Sequence, residues 1–327
     1  MKQKRLNLLA IRCLILLMLL TLFAASAFAA GYPSKPIQVI VPVGAGGDTD
    51  LNARLFAKYL EKELGQSLVI VNVKGGGGTL GMKRVMESDP DGYTALFFHG
   101  EAMIPKLAGL TDWGIEAFEM VGIGVIDNTT VLATHPGLPY KTLNELIDYA
   151  KKNPYEVEFG IQTGGYPHLI GVAFEDTAGI EFNKVDVGGN AAKTVALKGH
   201  KIDVINTQYG LTYDYFKSGD FTCLGLLSEE RNPLFPDVPT AKEQGLPLVF
   251  NKFFFYGMPK GTPADVVDTF SAAMKRVVEN PKYQADAKKI FVTPTYMGPK
   301  EATDYAQKQF AYFSKFQDLF RAGSSKK

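Results

Sequence analysis

The chain has 327 residues, enough for two cores of ordinary size, and 46% of them are hydrophobic, a globular proportion. Its 35 basic and 34 acidic residues nearly balance, so it lacks the basic surface that nucleic acid rewards. Of two cysteines, Cys13 lies in the leader described below; Cys223 then has no partner, which excludes an intrachain disulfide and a thiolate zinc site.

Lys2, Lys4 and Arg5 precede an apolar run over 14–23 and then small residues, with Ala27-Phe28-Ala29 as an A-x-A cleavage signal. That order is a secretory signal. The run is shorter than the ~20 apolar residues of a spanning helix. Residues 1–29 are therefore expected to be removed, near Ala29/Ala30, leaving a soluble, slightly acidic protein in the periplasm. No cysteine stands directly after the cleavage site to carry a lipid anchor.

Strands and helices then alternate. Residues 37–43 form a β-branched run ending in Gly44-Ala45-Gly46-Gly47. Leu51, Leu55, Tyr59, Leu60 and Leu64 follow at helical spacing, and Gly65 is the natural stop. A second strand over 68–73 ends in Gly75-Gly76-Gly77-Gly78, and a short helix at 82–87 leads to a third strand at 93–98. This βαβαβ order predicts a parallel sheet covered by helices. Thr142 and Glu145 form a capping box that opens a helix to Lys152. Strands near 157–161, 184–187, 202–205 and 221–227 alternate with helices over 167–178 and 191–198. Thr262-Pro263 starts a tail with helices over 264–279 and 299–320. Two α/β sets and a returning tail exceed one core, so the fold class is α/β with two lobes. The first domain is expected to be discontinuous, 30–131 with 254–327, and the second to span 132–253. The crossings are placed near 131–134 and 250–256.

Two glycine loops end the first two strands, where open α/β sheets bind ligands. Backbone N–H groups at such turns and at helix N-termini form anion sites. Gly44, Ala45, Gly46, Gly47, Asp48 and Thr49 in the first loop, and Gly77, Gly78 and Thr79 in the second, are the candidates. Gly76-Gly77-Gly78-Thr79-Leu80-Gly81 fits G-x-G-x-x-G, but it follows the second strand rather than the first, in an exported chain. No nucleophile elbow or metal-binding His pattern occurs, so no catalytic residue, metal or cofactor is expected. His99, after the third strand, and His168, at a predicted helix start, could face the cleft or serve the core. Asp48 either caps the following helix or points to solvent, or it faces the cleft and reads a hydroxyl or ammonium group.

The chain resembles the solute receptors of tripartite tricarboxylate transporters, the Bug-type receptors, over nearly its whole mature length. Tyr32-Pro33-Ser34-Lys35-Pro36-Ile37 is similar to their opening, and Pro42, Ala45-Gly46-Gly47, Asp50 and Ala53-Arg54 to their signature. Pro90-Asp91-Gly92-Tyr93-Thr94, Arg231 with Pro236-Asp237-Val238-Pro239-Thr240, and Gly261-Thr262-Pro263 continue in order. The resemblance implies a periplasmic-binding-protein fold, a central sheet in each lobe and a ligand cleft between them. It adds Thr163, Gly164, Gly165, Tyr166 and His168, then Gly188, Gly189, Asn190 and Ala191, as contacts from the second lobe; Gln208 completes the candidate set. Gly165 stands where the family usually has Ser, Asp186-Val187 where it has Pro-Tyr, Phe253 where it has Trp, and Asp48 where a small or neutral residue is usual. The expected function is capture of a small organic carboxylate by a monomeric receptor that delivers it to integral-membrane transporter subunits. An extracytoplasmic sensor presenting the solute to a membrane histidine kinase is the alternative, and an exported enzyme is a more distant one.

Overall fold

The computed structural model describes residues 31–325, so the leader expected at 1–29 lies outside the described residues. Strand β1 (Ile37–Val41) is followed by α1 (Asp48–Leu64), β2 (Leu68–Asn72), α2 (Thr79–Met86) and β3 (Thr94–His99). The three strands pair in parallel with β1 in the middle. Helix α1 ends as read: Gly65 takes the left-handed conformation at φ 67° and donates its N–H to the Glu61 carbonyl. After the short α3 (Ile104–Leu107), β4 (Phe118–Asp127) runs to the lobe edge. The next strand, β5 (Thr130–Thr134), belongs to the second sheet, so the outward crossing is only residues 128–129.

The second lobe adds α4 (Leu143–Lys152), β6 (Glu158–Ile161), α5 (Tyr166–Ala178), β7 (Asn183–Asp186), α6 (Asn190–Lys198), β8 (Val204–Gln208), α7 (Tyr209–Ser218) and β9 (Thr222–Leu226). Its sheet order is β7-β6-β8-β5-β9, with β5 antiparallel to both neighbours. The Thr142–Glu145 capping box opens α4.

The chain returns through 227–251 to β10 (Lys252–Pro259), then α8 (Ala264–Glu279), α9 (Pro281–Lys289), β11 (Thr293–Met297), α10 (Pro299–Ser314) and α11 (Gln317–Ser325). The first sheet is β11-β4-β10-β3-β1-β2. All eight residues of β10 are buried, between β3 and β4 and antiparallel to both. The expected cuts at 131/132 and 253/254 therefore fall inside β5 and β10. Both runs are buried along their whole length, which suits the interior of a sheet rather than a link between lobes. The helix read over 299–320 is two helices, and the second reaches the other lobe: Phe320 lies 5.0 Å from His168 of α5, ring to ring. None of the described helices is long and apolar enough to cross a membrane.

Candidate functional site

The sheets aim the carboxyl ends of their parallel strands at one cleft, and the first loop is braced from behind. Asp50, 2% exposed, accepts from the Gly46 N–H and the Asn72 amide, each at 2.9 Å, and from Arg54 at the same distance. Gly46 itself sits at φ 85°. In the second loop Gly75, Gly76, Gly77 and Gly78 all have positive φ, a run that only glycine adopts without strain. The loops press together: a Cβ on Gly78 would meet Phe98 Cζ at 2.8 Å, and one on Gly81 would meet Pro42 Cβ at 2.9 Å. The third glycine of the G-x-G-x-x-G string thus serves close packing of α2 on the loop after β1.

In the second lobe one carboxylate braces two loops. Asp186 accepts from the Thr163 N–H at 3.3 Å and from the Gly188 N–H at 3.1 Å. Burial pushes its carboxyl up, but these hydrogen bonds outweigh that and leave it below the usual carboxylate value. Asn190 donates to the Gln208 side-chain oxygen at 2.6 Å, fixing the start of α6 to the end of β8.

The cleft between these loops has a volume of about 760 Å³, within the ordinary range of small-molecule sites. Gly44, Ala45, Gly46, Gly47, Asp48, Thr49, Gly77, Gly78, His99, Tyr166, Gly189, Asn190, Ala191 and Gln208 line it. Thr79, Thr163, Gly164, Gly165, His168 and Gly188 do not. Thr79 turns back to bond the Gly76 carbonyl at 2.8 Å. His168 is 1% exposed and accepts from the Gly164 N–H through Nδ1 at 3.2 Å, so it supports its loop from inside the lobe. Gln162 and Pro167 line the cleft beside these supporting residues. Four helix N-termini, those of α1, α2, α5 and α6, converge on the cavity, two from each lobe.

Residues 52–316 match the family described as tripartite tricarboxylate transporter family receptor. The chain belongs to that family. Protein BugT of Bordetella pertussis is 33% identical to this receptor over 253 residues, 75% of this chain and 76% of its own. A TctC solute binding protein from Polaromonas superposes with a TM-score of 0.74 at 28% identity, covering 88% of this chain and 99% of its own. MatC from Rhodopseudomonas palustris, described with bound malate, shares the fold at a TM-score of 0.77 and 23% identity, over 88% of this chain and 100% of its own. The chain is thus a solute-binding receptor of the periplasmic type.

The receptor's cleft also has a charged floor. Lys252, the first residue of β10 and 6% exposed, donates to Asp48 Oδ2 at 2.5 Å. Asp48 heads α1 one residue after the cap, Gly47, and its carboxylate draws on the Thr49 N–H of the first turn as well as on Lys252. Burial raises the Asp48 carboxyl, but Lys252 more than offsets this and it ends below its ordinary value. Burial likewise pushes Lys252 down, and Asp48, Asp127 and Glu101 outweigh it. His99 accepts from the Glu101 N–H through Nδ1 at 3.2 Å, leaving Nε2 3.5 Å from the Glu101 carboxylate. Burial, then Lys252, holds the His99 imidazole well below its usual pKa and therefore neutral.

Glu101 stands between the lobes: burial holds its carboxyl, attached just after β3, above its usual value, while Lys252 and the backbone N–H of Tyr166 at the start of α5 pull it down. Lys193, fully buried, donates to both the carbonyl, at 2.6 Å, and the side-chain oxygen, at 3.0 Å, of Asn206, which lines the cleft. Burial, with Lys252 adding to it, lowers the amine to about 7. Lys252, Glu101, Asn206 and Lys193 were not among the residues read from sequence. Lys252 did leave a mark, as a lysine directly before the apolar Phe253-Phe254-Phe255-Tyr256. Glu101, two residues past a parallel strand's end, holds the position where such sheets bind ligands.

Proposed function

We propose that this chain is an exported, monomeric receptor that closes its lobes on a small organic carboxylate and delivers it to the integral-membrane subunits of a tripartite tricarboxylate-type transporter. The observation that carries this reading is the convergence of four helix N-termini, two from each lobe, on one cleft. Helix dipoles and close glycine-loop backbone there favour an anion without a fixed counter-cation. Binding from both lobes gives the ligand a differential affinity for a closed form, which is what shifts an open–closed equilibrium. The role is capture, not turnover.

The test is a thermal-shift screen of the mature protein against a panel of small carboxylates. A ligand at ~100 times its dissociation constant adds about 2.7 kcal/mol of stability. Small-angle scattering with the best ligand should give a smaller radius of gyration. Intact-mass measurement of periplasmic protein should place the first residue near Ala30. Conversion of a panel member to product, or no stabilisation by any of them, would overturn the reading.

A further inference from the structure

We infer that the second lobe grips its solute through two side-chain amides on β8, Asn206 and Gln208, and that Lys193 is the residue that aims the first of them. Lys193 holds both oxygens of Asn206, which turns the amide nitrogen into the cleft, where it donates to the solute's carboxylate. This rests on the receptor reading above and names the residues that carry the second lobe's half of the grip.

Asn206 and Gln208 are two positions apart on one strand, so their side chains stand on the same face. Both line the cleft, yet they are only 3% and 5% exposed. Each is held by its oxygen from the start of α6: Gln208 accepts from Asn190 at 2.6 Å, and Asn206 from Lys193 at 3.0 Å. For Asn206 the chemistry fixes the orientation. A lysine ammonium has donors and no acceptor, so the amide atom facing it is the oxygen. The Asn206 nitrogen then points away from Lys193 and donates to no other described residue. Neither it nor the Gln208 nitrogen is among the sealed-in polar atoms that lack a partner, so both open on the cleft. Buried polar groups are almost always hydrogen-bonded, and a spare donor on a cavity wall is met by what binds there.

Lys193 has the complementary property. It is fully buried, and no carboxylate among the described residues pairs with it. Buried lysines are rare unless paired. A neutral amine has two N–H groups, which is what Asn206 accepts; protonation adds a third, for which the described residues offer no acceptor. Burial, then Lys252 of β10, lowers the amine to about 7, with Glu101 after β3 and Asp48 of α1 opposing. A carboxylate on the far side of Asn206 supplies the counter-charge that the protein does not, and draws a proton onto Lys193. The lysine acts through Asn206, as a positioning residue.

The experiment uses the mature full-length chain and the tightest binder among succinate, malate, glutarate and adipate. Asn206→Leu, close in size but without the amide, should weaken that acid at least about tenfold, and Gln208→Met should act in the same direction. Asn206→Asp keeps an oxygen for Lys193 and pairs it, so the urea midpoint should hold while affinity falls. Calorimetry in two buffers of different ionisation enthalpy counts the protons. At pH 8 the amine is mostly neutral, so binding to wild type should take up a fraction of a proton; at pH 6 it is already charged, and that uptake should fade. His99 stays neutral and Lys252 charged, but Glu101 and Asp127, raised by burial, can also take up protons. The measure is therefore the part that Lys193→Met removes. Unchanged affinity in any of the three amide variants, or equal uptake at pH 8 by wild type and Lys193→Met, would overturn the inference and leave the receptor reading standing. Failure of all four acids to bind would overturn the receptor reading itself.

Discussion

Phe291 of the first lobe packs directly on Gly210 of the second: a Cβ added to Gly210 would fall 2.8 Å from Phe291 Cδ2. Phe291 follows α9 and holds a left-handed backbone at φ 59°, which strains a residue with a side chain. Its ring lies 5.5 Å from Tyr213 and 6.2 Å from Phe235. It thus joins the lobes beside a smaller cavity of about 170 Å³, which shares Asp48 and Gln208 with the main cleft. Gly210→Ala should destabilise by about 1–3 kcal/mol through overpacking. Phe291→Gly relieves the backbone but loses the ring contacts. In the double variant the alanine should cost little, because its collision partner is gone. Urea titrations around this cycle should give a coupling of at least about 0.5 kcal/mol; strict additivity would show that the two residues do not meet in solution.

The glycine loops should differ in their tolerance of a side chain. A side chain at Gly46 would be strained by its φ alone, since a Cβ there meets nothing within 4 Å. Gly78 combines φ 92° with the contact to Phe98. Gly46→Ala should cost about 1–2 kcal/mol, the usual left-handed penalty. Gly78→Ala should cost more, by a further ~1–3 kcal/mol of overpacking. Chemical denaturation ranks the pair, and the reverse order would place the close packing in the other loop.

Lys193→Met keeps the apolar stem but leaves the Asn206 carbonyl and side-chain oxygen without their donor. Losing the partner of a buried acceptor costs about 1–3 kcal/mol. Because Asn206 also lines the cleft, ligand affinity should fall with stability. Calorimetry and urea midpoints measure the two effects. A variant as stable as wild type would mean that water replaces the amine.

Acid should weaken the fold through histidines held neutral. Burial, helped by Lys184, lowers His168 to about 4, with Asp186 opposing; burial then Lys252 depresses His99. Below pH ~6.5 the unfolded chain binds protons that the folded chain refuses, so stability falls as pH drops from there towards 4. Glu101 and Asp127, whose carboxyls are raised, work in the opposite sense over the lower part of that range. Comparison with His168→Asn isolates the imidazole. Its urea midpoint should drop less than that of wild type between pH 6.5 and 4.5, and parallel curves would refute the assignment.

What the sequence revealed of the fold followed from local chemistry. The β-branched runs before the glycine loops, the Thr142 capping box and the Gly65 stop each carry their signal within a few residues. Strand β4 escaped because Gly122 and Gly124 break its pattern. A Cβ at Gly124 would fall 2.5 Å from Phe56 Cε2, so the strand gives up side chains to let α1 approach. Strand β10 was mistaken for a crossing because a strand buried on both faces shows no alternation. The charged floor was illegible for another reason. Lys252 and Asp48 are 204 positions apart and meet only when the returning chain enters the first sheet. Asp186, noted only as a departure, proved to brace both second-lobe loops.

The interior place of β10 sets the order in which the molecule can come into being. Until Lys252–Pro259 arrives, β3 and β4 each present a bare edge where a neighbour belongs, and neither can pair with the other in its final register. The first lobe begins the chain but must wait for the second to be made and for the polypeptide to turn back. Its central pairings join residues far apart in sequence, the kind that form slowly. A fragment that stops before Asn251 should therefore yield a folded second lobe beside an unfinished partner. Strand β3, early in the sequence, gains its second neighbour only once β10 is in place.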